Sequence, residues 1–268
     1  MFRSKEAAGL RIFNTIFYVL MVAITVYFEL LPLNNVTAAQ ISEQHMNSLT
    51  LPTFSFGAWF VIFFWLLLFV LYQNGLFLKK GEGDNPDLIH AISIFFIISS
   101  IASVCWFTIL HYDYITLAFL IIFVMWSALL FLNSRLRTEI LSKKDIIFAR
   151  IPFSMYLSWV TFTMAINFAS MFKQLDPGLL GISSATWTMS AIVALFLFTE
   201  YFVIRHKDYA FGITSLWAFC NLLYRYATDI ITDESHTGIL ILIAIATGIL
   251  LISLLVVGWV QRNKSNMT

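Results

Sequence analysis

The sequence predicts an all-α fold: a polytopic membrane helix bundle of about eight transmembrane helices. Three observations carry that expectation. Eight long apolar stretches alternate with short polar connections along the 268 residues. Hydrophobic residues make up 60% and charged residues 12%, with a mean hydropathy of +0.84, whereas a soluble domain is closer to half apolar and a quarter charged. Finally, Lys and Arg fall almost wholly into every second connection. Arg3, Lys5, Arg11, Lys79, Lys80, Arg135, Arg137, Lys143, Lys144, Arg150, Arg205, Lys207, Arg262 and Lys264 lie on one side; only Lys173 and Arg225 lie on the other. Basic flanks are retained in the cytoplasm during insertion, so the pattern predicts a cell-membrane protein with both termini cytoplasmic.

The first span, 11–33, follows Arg3, Lys5 and Arg11 and precedes Val36-Thr37-Ala38. Its apolar run exceeds that of a signal peptide and matches a full crossing, so a retained first helix is expected. The outer segment 34–52 carries no Lys or Arg and contains a formal sequon, Asn35-Val36-Thr37. Span two, 53–78, opens on Leu51-Pro52-Thr53-Phe54-Ser55-Phe56-Gly57-Ala58-Trp59. Proline suits a helix start, and Phe56 and Trp59 are one turn apart. A basic connection with Gly81, Gly83 and Pro86 leads to span three, 88–111, which carries Trp106 and ends in the tight turn His111-Tyr112-Asp113-Tyr114. Span four is 114–134, span five 146–172, span six 184–204, span seven 209–226 and span eight 237–260, with an acidic outer loop from Asp229 to His236.

Eight such spans leave no soluble domain of useful size. Net charge is +1, which gives no electrostatic case for nucleic acid as a partner; the lipid bilayer is the expected one. Cys105 and Cys220 sit in apolar stretches and are expected as buried, reduced thiols. Catalytic constellations are scarce. Glu29 and Glu200, near span ends, are expected at the headgroups, and His90 and His111 are also terminal. Charges that do work in pumps and channels usually sit at mid-depth, so their scarcity argues against an ion pump. No HExxH, GxSxG, CxxC or Walker loop appears, so no metal site, nucleophile or nucleotide site is supported and no catalytic residue is expected. Glu200, Arg205, His206 and Asp208 make a thin case for a lipid-acting enzyme and a better one for a solvated inner loop.

Span five is the most distinctive segment. At 100° per residue, Pro152, Tyr156, Trp159, Thr163 and Asn167 fall within about 80° of arc. An amide is costly toward lipid, so the stripe is expected to face protein, either as polar glue between helices or as a binding surface. Trp59, Trp65, Trp106, Trp126, Trp159 and Trp217 lie deep in their spans, where an indole N–H calls for a protein or ligand partner. Trp187, Trp259, Tyr224 and Tyr226 mark interfaces.

These residues resemble the TspO/MBR family, the tryptophan-rich sensory or translocator proteins. Pro52, Phe56 and Trp59 match the pattern opening that family's second helix. Tyr156-Leu157-Ser158-Trp159-Val160-Thr161-Phe162 and Asn167 match its fifth helix, and Trp106 is similar to its third-helix tryptophan. The chain departs from the family where Pro152 and Tyr156 do not adjoin, where Thr163 replaces alanine and where Ser103 stands near an expected asparagine. The resemblance covers about 10–172. It implies a five-helix core, 1–174, with three further helices over 175–268, as in an extended eight-helix bacterial relative.

The resemblance also implies a hydrophobic, flat, tetrapyrrole-like ligand such as a porphyrin, held by Phe56, Trp59, Trp106, Tyr156, Trp159 and Asn167 in a bundle cavity. Rings stack on a macrocycle while the indole N–H and amide meet its polar edges. No mid-depth histidine stands ready to ligate haem iron. Sensing, regulation or translocation follows, with slow porphyrin turnover compatible and a homodimer among the assemblies the resemblance admits. The competing reading is a secondary transporter or exporter of a hydrophobic metabolite.

Overall fold

In the computed structural model, residues 2–31, 36, 38–77, 85–174, 183–228 and 234–265 are described. Every regular element among them is helical. The helices are α1 (Phe2–Leu30), α2 (Ala38–Gln44), α3 (Gly57–Gln73), α4 (Pro86–His111), α5 (Ile115–Thr138), α6 (Lys143–Asp145), α7 (Ile151–Gln174), α8 (Ser184–Glu200), α9 (Tyr209–Thr228) and α10 (Glu234–Ser265). Among the described residues, seven stretches are long and apolar enough to cross a membrane: Glu6–Leu30, Thr53–Gln73, Pro86–His111, Ile115–Thr138, Lys143–Gln174, Ser184–Arg205 and His236–Asn263. The eighth long helix, α9, has 20 residues. Thr214, Ser215, Asn221 and Arg225 make it less apolar than the others. The polytopic membrane bundle expected from hydropathy is the architecture observed. Lys79, Lys80, Asn35, Thr37, Asp229 and Asp233 lie outside the described residues.

Local chemistry sets the helix starts. Asn85 accepts a hydrogen bond from the Leu88 N–H and Pro86 occupies the first turn of α4, while Ser183 caps α8 through the Thr186 N–H. Ser142 and Asp145 form a reciprocal capping box. After it the chain widens into a π turn, Ile146–Arg150, before α7. Pro152 supplies the reason: it has no N–H, and its ring would crowd the carbonyl four residues back in a regular α-turn. A second π turn, Tyr201–Arg205, carries α8 onward.

Contacts divide the chain into two compact units, one of residues Met1–His45 and Gly57–Val160, the other of Met46–Phe56 and Thr161–Thr268. In the first, α4 packs on α5 and α1, and α1 packs on α3. Three of its helices share a polar link. The Asn14 amide donates to Gln73 Oε1 and to Ser93 Oγ, both at 2.9 Å. At one end of this unit the Tyr72 hydroxyl donates to Asp145 at 2.8 Å, and at the other His45 pairs with Asp113. In the second unit α10 packs on α9 and α8. Gly212 permits that approach, because a Cβ there would stand 2.6 Å from Val203 Cγ2 and 2.7 Å from Leu254 Cδ2.

Three expectations need correcting. Cys105 and Cys220 are free but exposed. Cys105 continues the outward stripe Ile94, Ile98, Ile101, and Cys220 continues Ile213 and Trp217, so both thiols face outward instead of into a protein core. Trp217, 44% exposed, shares that outward face of α9, whose inner face is taken by Phe211, Ala218, Phe219 and Leu222; its indole N–H nevertheless finds the protein partner expected of it, donating to the Ser55 carbonyl at 3.5 Å. Glu200 is buried instead of reaching headgroups, because the π turn extends its helix beyond it; Glu29 is exposed.

Candidate functional site

Four of the six residues singled out from the sequence meet in the first unit. Trp59 comes from α3, Trp106 from α4, and Tyr156 and Trp159 from α7. The Trp59 ring centroid lies 6.3 Å from Trp106, 6.0 Å from Tyr156 and 6.4 Å from Trp159, the last two edge-to-face at 70° and 86°. Such tilted and edge-on geometries set the positive rim of one ring against the negative face of another. Trp59 also packs at 5.4 Å on Phe63, one turn along α3. The cluster is enclosed: Tyr156 is 0% exposed, Trp159 2%, Trp106 3% and Trp59 9%.

The surroundings of Tyr156 are soft. Its hydroxyl faces the Met125 sulfur at 3.3 Å and the Met21 sulfur at 3.8 Å. Thioethers are weak acceptors on flexible stems, so a more basic oxygen or nitrogen could take this donor. Ser99, Ser100, Ser154 and Ser158 are buried on α4 and α7. Ser99 and Ser100 spend their hydroxyls on the Phe96 carbonyl. The site therefore offers stacking faces, indole and phenol donors and adaptable sulfurs. It offers no acid–base pair.

Phe56 and Asn167 belong to the second unit. Phe56 is half-buried at the end of a 3₁₀ turn, Thr53–Phe56, immediately before α3 begins. Asn167 is buried and donates to the Thr163 carbonyl one turn back at 2.8 Å. All five members of the stripe, Pro152, Tyr156, Trp159, Thr163 and Asn167, are buried.

A family model described as TSPO-like protein matches residues 11–258. The chain belongs to the TspO-like family. The match runs on through α8, α9 and α10, so these helices are part of what the family description covers and the likeness is not confined to 10–172. No curated protein and no solved structure matches this TspO-like chain.

The second unit holds a feature that motif reading missed. A cavity of about 700 Å³ lies where α7 and α9 finish and α8 and α10 begin. Lys173, Arg225, His236, Trp187, Phe172 and Asn47 are among its lining residues. One sequence signal pointed there: Lys173 and Arg225 are the two basic residues that break the charge pattern. The Lys173 ammonium donates to the Met46 carbonyl at 3.0 Å. Arg225 donates to the carbonyls of Asn47 and Thr50. Among the described residues no group of three or more His, Cys, Asp and Glu could hold a metal ion. Asp208 instead caps α9 by accepting from the Phe211 N–H at 3.2 Å, and His206 packs on Tyr201 and Phe202.

Proposed function

We propose that this membrane protein binds a flat, apolar, tetrapyrrole-like ligand through Trp59, Trp106, Tyr156 and Trp159, and acts as a sensor or translocator for it. The observation that carries the reading is the meeting of these four rings, drawn from three helices at the positions of the family-like motifs. Planar π-faces suit a macrocycle, and the Tyr156 donor, held by thioethers, can turn to a pyrrole nitrogen or carboxylate edge. Because the rings pack on one another, the ligand must part them, and the flexible Met21 and Met125 side chains are the adaptable neighbours. Phe56 and Asn167 are secondary in this reading. The protein sits in the cell membrane with both termini cytoplasmic, on the strength of its basic connections.

The test is protoporphyrin binding in detergent, followed by the Soret absorbance so that removing a fluorophore does not bias the result. Trp59→Phe with Trp159→Phe should weaken affinity about fivefold or more, since two aromatic contacts contribute about 0.5–1.5 kcal/mol each. Trp217→Phe, on the outward face of α9, should leave it unchanged. Equal affinity for the double variant and the parent would refute the assignment.

A further inference from the structure

We propose that the second unit contains a separate binding site for an acyl-chain amphiphile with an anionic head, seated in the cavity at the shared end of α7, α8, α9 and α10. The inference does not rest on the tetrapyrrole reading, which concerns the first unit. Three observations converge. The cavity, about 700 Å³, is of the size that holds small ligands, about 300–1,000 Å³. Its walls are apolar, built from Ala165, Phe168, Ala169, Ala191 and Ile239. Its cationic groups are those that membrane insertion would have excluded from this side of the chain.

The rim is built. Arg225 is tied to the segment 47–50 by two backbone carbonyls, and the Tyr226 hydroxyl donates to the Ser48 carbonyl at 3.0 Å. His236 stacks on Tyr226 at 4.8 Å, with its Nε2 2.9 Å from the Tyr226 carbonyl. Phe172 packs against Trp187 at 4.7 Å, and the buried Trp187 Nε1 has no hydrogen-bond partner among the described residues. An indole donor, an ammonium and a guanidinium therefore line one apolar cavity. Acyl chains fill apolar walls, and a carboxylate or phosphate accepts from such donors in charge-assisted bonds. Helix ends are also where chain and headgroup of a membrane amphiphile part company, and Phe168, 39% exposed, gives the chain an apolar approach.

The full chain in phosphatidylcholine nanodiscs, titrated with cis-parinarate and read by energy transfer from tryptophan, tests this. Oleate should displace the probe at least about tenfold more effectively than oleyl alcohol, and acetate and inorganic phosphate should not displace it. Lys173→Gln with Arg225→Gln should abolish the preference for oleate. Lys173→Gln alone, which leaves the Arg225 anchors in place, should reduce it severalfold. Ala169→Trp, which fills the cavity and keeps the charges, should weaken oleate and oleyl alcohol alike. Equal competition by alcohol and acid against the parent protein overturns the proposal. So does an unchanged preference in Lys173→Gln, unchanged binding in Ala169→Trp, or displacement by phosphate alone.

Discussion

Asn14 is completely buried in α1, and its amide N–H groups reach Gln73 Oε1 on α3 and Ser93 Oγ on α4, each at 2.9 Å. Replacing Asn14 by Leu keeps the volume close and removes both bonds. Inside a membrane each such bond is worth about 0.6 kcal/mol on average, which sets a floor of about 1.2 kcal/mol. The Gln73 carbonyl then loses its donor, and an unpaired buried acceptor costs about 1–3 kcal/mol. Ser93 is affected less, since its hydroxyl still donates to the Ile89 carbonyl at 2.7 Å. Asn14 Oδ1 has no hydrogen-bond partner among the described residues, so deleting it costs nothing in bonding. The expected loss is therefore about 2–4 kcal/mol by reversible SDS unfolding in mixed micelles, followed by circular dichroism. A double-mutant cycle with Gln73→Leu isolates the pair. The double variant should be less destabilised than the sum of the singles by about 1 kcal/mol, because no carbonyl is stranded. Strictly additive losses would show that the three helices do not depend on this link.

Gly212→Val should destabilise the second unit by about 1–3 kcal/mol, seen as a lower unfolding midpoint, because the added carbons meet Val203 and Leu254 at distances no packed carbon tolerates. Asp145→Ala should cost about 1–3 kcal/mol by the same assay, since this carboxylate accepts from the Tyr72 hydroxyl at 2.8 Å and the Ser142 N–H at 2.9 Å. Tyr156→Phe should change stability by less than about 1 kcal/mol, a thioether being a weak acceptor, yet should weaken porphyrin binding; a large loss of stability would mean the hydroxyl is needed for packing. Reporter fusions at the C-terminus should be active only for a cytoplasmic reporter, and the opposite pattern would overturn the topology read from the basic connections.

The stripe on α7 was legible because its five members recur at helical spacing, and burial of Pro152, Tyr156, Trp159, Thr163 and Asn167 follows from one periodicity. Its partners were not. Nothing in the order of residues says that Trp59 would reach Tyr156 and Trp159 while Phe56, three positions earlier, would end a 3₁₀ turn in another compact unit. Deep tryptophans looked alike in the sequence, yet Trp106 is buried and Trp217 is not. Depth in a span is a matter of length, whereas azimuth is decided by whichever face the neighbouring helices take.

Membrane residence, the number and order of long helices and the basic bias of alternate connections are determined by the sequence alone, because hydropathy and insertion act on local segments. Tertiary structure alone decided that four rings from α3, α4 and α7 close on one another, that a wide turn precedes Pro152, and that the two misplaced cations meet around a cavity. Those outcomes depend on how helices rotate and cross when packed, which is a property of pairs of surfaces and is not written in any one of them.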